Sequence, residues 1–416
     1  MTLLLAGGVD ATGATFSLRT DPATGLIADA GPGLARRADD EVLDCTGMVL
    51  LPAPAEPHAH LDKALSASRA PNPAGDLAGA IAAWHAYRPS LSEAEILGRA
   101  RVAAHELIAH GTTAIRTHTD VGPGIGLRAI HALVALRGEL AGLADLQIVA
   151  LISPPLSGPD GAPQRRLLAE ALEAGADVAG GCPHLDPDPP AATAAALEIA
   201  EAAGCPLDLH VDEQLDPRAL WVEDLIGLVA ARGFAHGAVA SHCVSLGMLD
   251  AAEQARIARD AAAVGIAVVT LPQTNLYLQA RDRPTAAPRG LTALRALLDA
   301  GATVAAGADN VRDPFNSVGR SDALETAALL IMAGHLTPEE AYAAVSGGAR
   351  RAMAMAPVTL TPGAPAEVLA VRGTSLTDAV ARASDHRFVV HAGRCVARTR
   401  VTTEVLSPFT ALALLP

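Results

Sequence analysis

Residues 48–60 read MVLLPAPAEPHAH, an apolar run that ends in two histidines one residue apart. A short run of leucine and valine bounded by prolines reads as a buried strand, and alternate residues of a strand face the same way. His58 and His60 therefore leave the strand's C-terminal end together, where two imidazoles can converge on one ion. Just beyond lies Lys63, the only lysine in a chain with 31 lysines and arginines combined.

Seven similar runs follow: TTAIRTHTD (112–120), LQIVALIS (146–153), ADVAGGCPH (176–184), PLDLHVDE (206–213), GAVASHC (237–243), IAVVTLPQ (266–273) and TVAAGADN (303–310). Each is followed by a loop and a stretch of helical character, as βα units require. Ser92 with Glu95 forms a capping pattern before ILGRARVAAHELIAHG, and Thr337-Pro338-Glu339-Glu340 supplies cap, first-turn proline and acid. Eight such units predict an α/β fold, a (β/α)8 TIM barrel over residues 53–355. The flanks, 1–52 and 356–416, carry short alternating runs (LLLAGGV, VLDCTGMVL, AEVLAVRG, FVVHAGRCVA) and are expected to form a small β-sandwich domain from both chain ends.

Composition agrees with buried parallel strands. Half the residues are apolar but only 2% are aromatic, so Ala, Val and Leu must fill the core. The formal charge of -14 disfavours nucleic acid or an anionic membrane as partner, both of which demand a basic surface. A small-molecule ligand, neutral or cationic, fits better. The five cysteines are scattered, which reads as reduced thiols and a cytoplasmic protein. The start, MTLLLAGGVDATG, reads as a first strand rather than a leader, and the apolar end LSPFTALALLP is expected to be covered, either within its own domain or in a homo-oligomer.

The other barrel runs add polar groups at the same face. The fifth ends in His210 with Asp212 and Glu213 beyond, the sixth in Ser241-His242-Cys243, and the eighth in Asp309. Barrel active sites lie at these strand ends. Imidazoles with one carboxylate suit a single divalent metal ion, zinc or iron, and leave room for water. His118 and His184 also end strands and are candidates for supporting or substrate-facing roles. His85, His105, His110, His131, His236, His335, His386 and His391 read as surface or packing residues.

In order and spacing, HAHLDK, RTHTD, LQIVA, GADV, HVDE, ASHC and GADNVRDPF resemble the amidohydrolase superfamily, in particular its bacterial cytosine deaminase-like branch. The resemblance implies that His58, His60, His210 and Asp309 hold one zinc or iron ion, that Glu213 shuttles a proton to a ring nitrogen, and that His242 lies beside the reacting carbon. Binuclear members carry a lysine at the end of the fourth strand; here that strand ends GGCPH, so one metal is expected. Lys63 matches an H-x-H-x-D-K variant of deaminase relatives, where an ion pair with Asp62 or a neighbouring acid gives it a structural role.

Three departures bear on substrate. Ser153 stands where cytosine enzymes carry a glutamine, Ala308-Asp309-Asn310 replaces His-Asp-Asp, and Phe315 replaces a tryptophan. Asn310 with Arg312 and Asp313 resembles instead relatives that remove an alkylamine from a triazine. Leu77, Trp84, Ser153, Asn310 and Phe315 are the expected pocket lining. The expected activity is hydrolytic deamination of a cytosine-like aminated N-heterocycle with release of ammonia; the alternative is removal of an N-alkylamine from a triazine-like ring, or opening of a cyclic amide.

Overall fold

The computed structural model describes residues 2–404. The apolar end of the sequence lies outside them.

The run at 48–60 is not one strand. Met48–Pro52 and Ala55–Ala59 are separate strands in different sheets, split at Ala53-Pro54. Pro52 and Pro54 have no N–H to give a ladder; Ala53 between them still donates to the Glu367 carbonyl at 3.0 Å, and the chain changes sheet after it.

One sheet is built from the chain ends: β1 (Thr2–Val9), β2 (Thr15–Asp21), β3 (Leu26–Gly31), β4 (Asp40–Asp44) and β5 (Met48–Pro52), with three strands from the C-terminal flank. The second sheet takes the middle of the chain: β6 (Ala55–Ala59), β7 (Ala114–Val121), β8 (Asp145–Ile152), β9 (Val178–Gly181), β10 (Leu207–Val211), β11 (Ala238–His242), β12 (Ala267–Thr270) and β13 (Val304–Ala306). The C-terminal strands of the first sheet are β14 (Val368–Arg372), β15 (Arg387–His391) and β16 (Arg394–Thr399).

The chain-end sheet runs β16-β15-β14-β5-β1-β2-β3, with β4 beside β1. An isolated bridge from Leu26 in β3 to Pro365, just before β14, folds the sheet back around one core of Leu3, Leu5, Leu18, Ile27, Val368 and Phe388. This unit also takes in Ile108–Thr113 and resumes at Val358. Buried Arg19 is held there by Asp40, which accepts at 3.0 and 3.1 Å.

β6 to β13 are all parallel and hydrogen-bonded in chain order, and a parallel bridge between Ala59 and Asp309 joins the last strand to the first. The result is a (β/α)8 barrel. Its interior beneath the mouth is made of small residues, Ala55, Ala114, Val239, Ala267 and Ala305, plugged by Ala349, Ala352 and Met353. The Glu56 side chain ties the first and last strands: Oε1 accepts from His58 N–H at 3.0 Å and Oε2 from Ala308 N–H at 2.9 Å. Gly307 is required beside it, because a Cβ there would lie 2.2 Å from Glu56 Oε1.

Both cap patterns appear at helix starts. Thr337 and Glu340 form the full reciprocal box. At Ser92 the hydroxyl accepts from Glu95 N–H, while the Glu95 carboxylate turns to Arg99 and Arg69. An ion pair available on the same surface outcompetes the second half of that box.

Candidate active site

Eight parallel strands deliver their C-terminal ends to one mouth, and the sequence places its imidazoles and carboxylates there. His58 lies in β6 with His60 just after it, His210 in β10, His242 at the end of β11, and Asp309 beyond β13. Register sets His210 opposite Ser241 and Val211 opposite His242. Asp212, His242 and Asp309 have φ of 54°, 73° and 66°. Left-handed backbone at non-glycine residues costs free energy and gathers where function holds it in place.

Four donor atoms converge. His58 Nε2 lies 3.1 Å from His210 Nε2, which lies 3.3 Å from His60 Nε2. Asp309 Oδ1 is 3.3 Å from His60 Nε2 and 3.9 Å from His58 Nε2. In a tetrahedral zinc site with bonds of about 2.0–2.1 Å, neighbouring donor atoms stand about 3.3–3.4 Å apart. The three short separations fit edges of such a polyhedron, and the wider one opens a side. Three imidazoles and one carboxylate are also the donor set for a borderline divalent ion.

The surroundings free the right lone pairs. His58 Nδ1 donates to Ser241 Oγ at 3.0 Å, Ser241 donates to Asp208 Oδ1 at 3.0 Å, and Arg116 donates to Asp208 Oδ2 at 2.8 Å. His60 Nδ1 donates to the His118 carbonyl at 3.1 Å. Each relay puts the proton on Nδ1 and leaves Nε2 as a ligand. Burial, then the crowding of other imidazoles around His58 and His210 and of Lys63 beside His60, drives all three well below the ordinary imidazole range, so they stay neutral. His118 stacks on His58 with ring centroids 3.7 Å apart, and His184 Nδ1 bonds the His210 carbonyl at 3.0 Å. Both therefore brace residues of the candidate ligand cluster.

Two acids at the end of β10 are divided by task. Asp212 accepts from the N–H groups of Trp221 and Val222 and so starts the helix Trp221–Arg232. Glu213 faces the mouth, and burial pushes its carboxyl up to about 8, which keeps it protonated at neutral pH. His242 Nδ1 lies 3.6 Å from Glu213 Oε1 and 3.3 Å from Asn275 Nδ2. Burial lowers His242 to about 3, so it is a neutral ring whose Nε2 has no partner among the described residues. Burial, then Glu213 and Asp313, pushes Asp309 well above the usual carboxylate range.

Above the donors opens a cavity of about 300 Å³, lined by all five expected pocket residues, Leu77, Trp84, Ser153, Asn310 and Phe315. Asn310 is fixed by Asp313, which accepts from its Nδ2 at 2.8 Å. The same cavity reaches Lys63, His85, Arg88 and Asp120. Asp120 is a hub that the sequence reading missed. Its Oδ1 accepts from Lys63 Nζ at 2.9 Å, and its Oδ2 from Trp84 Nε1 at 2.6 Å and Arg88 Nη1 at 3.4 Å. Lys63 also reaches Asp62 at 3.3 Å; burial opposes its charge, but Asp120 and Asp62 overturn that and raise it. The missed signal was helical spacing: Trp84 and Arg88, four apart in WHAYR, share one face.

The profile of the Amidohydrolase family matches residues 77–397. The chain is 31% identical to a pterin deaminase of Rhizobium rhizogenes (strain K84 / ATCC BAA-868) over 384 residues, 91% of this chain and 87% of that protein. Its fold is similar to that of 5-methylcytosine deaminase from Klebsiella pneumoniae liganded with 5-fluorocytosine, at a TM-score of 0.85 and 27% identity, covering 97% of this chain and 99% of the other. N-isopropylammelide isopropylaminohydrolase from Burkholderia multivorans ATCC 17616 gives a TM-score of 0.81 and 32% identity over 96% and 98% of the two chains.

Proposed function

The chain belongs to the amidohydrolase family and is a hydrolase of C–N bonds, and from that premise we propose that it is a mononuclear metal-dependent deaminase of a cytosine-like aminated N-heterocycle. The observation that carries this reading is the convergence of His58, His60, His210 and Asp309, with Glu213 lining the same cavity.

A divalent zinc or iron ion held by His58, His60, His210 and Asp309 supplies Lewis acidity that lowers a water's pKa from 15.7 toward about 7. The residues of the chain do the rest. Asp309, which a bound ion would hold as the carboxylate despite its burial, accepts the proton that the attacking water gives up as its oxygen bonds the ring carbon. Glu213 donates its proton to the adjacent ring nitrogen, so that negative charge does not build up in the ring. His242 directs Nε2–H at the new oxygen. The new hydroxyl then gives its proton to Glu213 as its oxygen becomes the ring carbonyl, Asp309 passes the proton it took from water to the amine, the C–N bond breaks, and the amine leaves as ammonia. Trp84, Phe315 and Leu77 supply the apolar walls that accept a flat ring and exclude water.

A second reading, removal of an N-alkylamine from a triazine-like ring, rests on the resemblance of Asn310, Arg312 and Asp313 to alkylamine-removing relatives and on the bond that locks Asn310 to Asp313. Mass spectrometry of the products formed by metal-reconstituted protein from cytosine, isocytosine, pterins and N-alkylaminotriazines separates the two. Ammonia and an oxo ring are expected; an alkylamine selects the second reading, and a ring-opened acid selects the opening of a cyclic amide. A cytoplasmic location accords with five cysteines that form no disulfide.

A further inference from the structure

The cavity contains a cation that the deamination chemistry leaves unused. Arg88 begins the short turn Arg88–Ser90 at the end of the helix Leu77–Tyr87, is 5% exposed, and lines the cavity. Its Nη1 donates to Ser153 Oγ at 3.1 Å and, more distantly, to Asp120 Oδ2 at 3.4 Å. Among the described residues, its Nε and Nη2 have no hydrogen-bond partner. Ser153 Oγ is the acceptor in its bond with Arg88, which leaves its own hydrogen free to donate.

The corner is therefore made of donors. The acceptor beside it, Asp120, has both oxygens engaged by Lys63, Trp84 and Arg88. Placement is fixed from two sides. Asp120 anchors the guanidinium, and Ser153 is seated by its N–H bond to the Val121 carbonyl at 2.8 Å and by close approach to Gly122, where a Cβ would lie 2.4 Å from Ser153 Oγ. Ser153 follows β8, the third strand of the barrel, whereas His210, Glu213, His242 and Asp309 come from the fifth, sixth and eighth. Donor corner and amine-displacing groups thus occupy different sectors of one mouth.

We propose that Arg88 and Ser153 together hold an acceptor-only oxygen group of the substrate, a ring carbonyl or a carboxylate substituent, and so orient the ring with its amine toward Glu213 and Asp309. The inference rests on the deaminase reading. A guanidinium only 5% exposed, with its free N–H groups opening on the cavity, favours an oxygen partner there over water, and a charge-assisted fork outweighs a neutral contact. An amine in this corner would set N–H against N–H. Arg88 is a specificity residue here, and Asp120 a positioning residue that acts through it.

The test compares holoenzyme of the wild type, Arg88→Met, Arg88→Lys and Ser153→Ala on matched ring pairs. Isocytosine against 2-aminopyrimidine differs by a ring carbonyl, and pterin-6-carboxylate against pterin by a carboxylate. The expected result is a KM for the oxygen-bearing member raised about 10–100-fold in Arg88→Met, with a smaller fall in kcat and little change for the member lacking that oxygen. Arg88→Lys is expected in between. An effect in the first pair assigns a carbonyl, and one confined to the second a carboxylate. Unchanged discrimination in a folded Arg88→Met protein overturns the proposal. If that variant fails to fold, Arg88→Lys and Gly122→Ala, which displaces Ser153, read the same contrast. If no ring yields ammonia, the deaminase reading fails separately. Titration calorimetry of the same pairs on the holoenzymes then decides: a tenfold or greater Arg88-dependent loss for the oxygen-bearing member upholds the corner, and equal binding overturns it.

Discussion

At the scale of single residues, the proton inventory of the mouth sets clear expectations. Glu213→Gln keeps shape but removes the titratable proton, and it is expected to lower kcat about 10²–10⁴-fold while leaving metal content and melting temperature near wild type. Wild-type turnover in that variant would remove Glu213 from the mechanism. Ser241→Ala breaks the relay that orients His58 through Asp208 and Arg116, and metal affinity measured by chelator competition is expected to fall about 10–100-fold. His58, His60, His210 and Asp309 were legible in the sequence because each sits at a strand end, where period-two alternation and barrel geometry fix direction. Arg88 and Asp120 were not. Asp120 ends a strand among other polar residues, and nothing local distinguishes a carboxylate that gathers Lys63, Trp84 and Arg88 from one that meets solvent. Lys63 was expected to pair with a neighbouring acid; it pairs with two, and it also reaches the cavity.

At the scale of elements, the eight barrel strands follow the eight apolar runs because buried parallel strands are continuous in hydrophobicity and each run is closed by turn-forming residues. The one misreading was the first run. Its apolar residues gave no sign of a change of sheet, and only Pro52 and Pro54 mark it. The join between first and last strands could not be read at all, since β13 is three residues long and its closure depends on Glu56 and Gly307, 251 positions apart. Gly307→Ala forces a methyl against Glu56 Oε1, and overpacking of this kind costs about 1–3 kcal/mol. A melting temperature lowered by several degrees, with weakened metal binding because Asp309 moves, is expected. An unchanged melting curve would mean that Glu56 does not brace the closure.

At the scale of the whole molecule, the fold buries opposed titrating groups, and the signs can be worked out. His184 and His242 are lowered by burial to about 4 and about 3, and His58, His60, His118 and His210 fall well below the ordinary value of 6.5. Such groups add stability that is complete above pH 6.5 and is lost as pH falls toward their folded values, because the unfolded chain takes up the protons first. Glu56 and Glu213, pushed by burial to about 8, and Asp212, pushed to about 7, act oppositely: their contribution is present in acid and lost as pH rises toward those values. Below about pH 6.5 the two sets oppose one another, and above it only the acids still titrate. Calorimetry of metal-free protein is expected to show stability falling as pH rises from about 6.5 to 9; a flat profile over that range would contradict the burial of these acids in their neutral forms. The chain's net charge of -14 suggested a neutral or cationic ligand, yet the cavity itself presents Lys63 and Arg88. A sum over the sequence does not report the sign of one pocket. The most direct measurement is ammonia release from an aminated heterocycle as zinc or ferrous iron is added back to chelated protein. The expected curve starts near zero, rises in proportion to added metal and levels at one equivalent per chain. Turnover without metal, or a plateau at two equivalents, would contradict a single-ion deaminase.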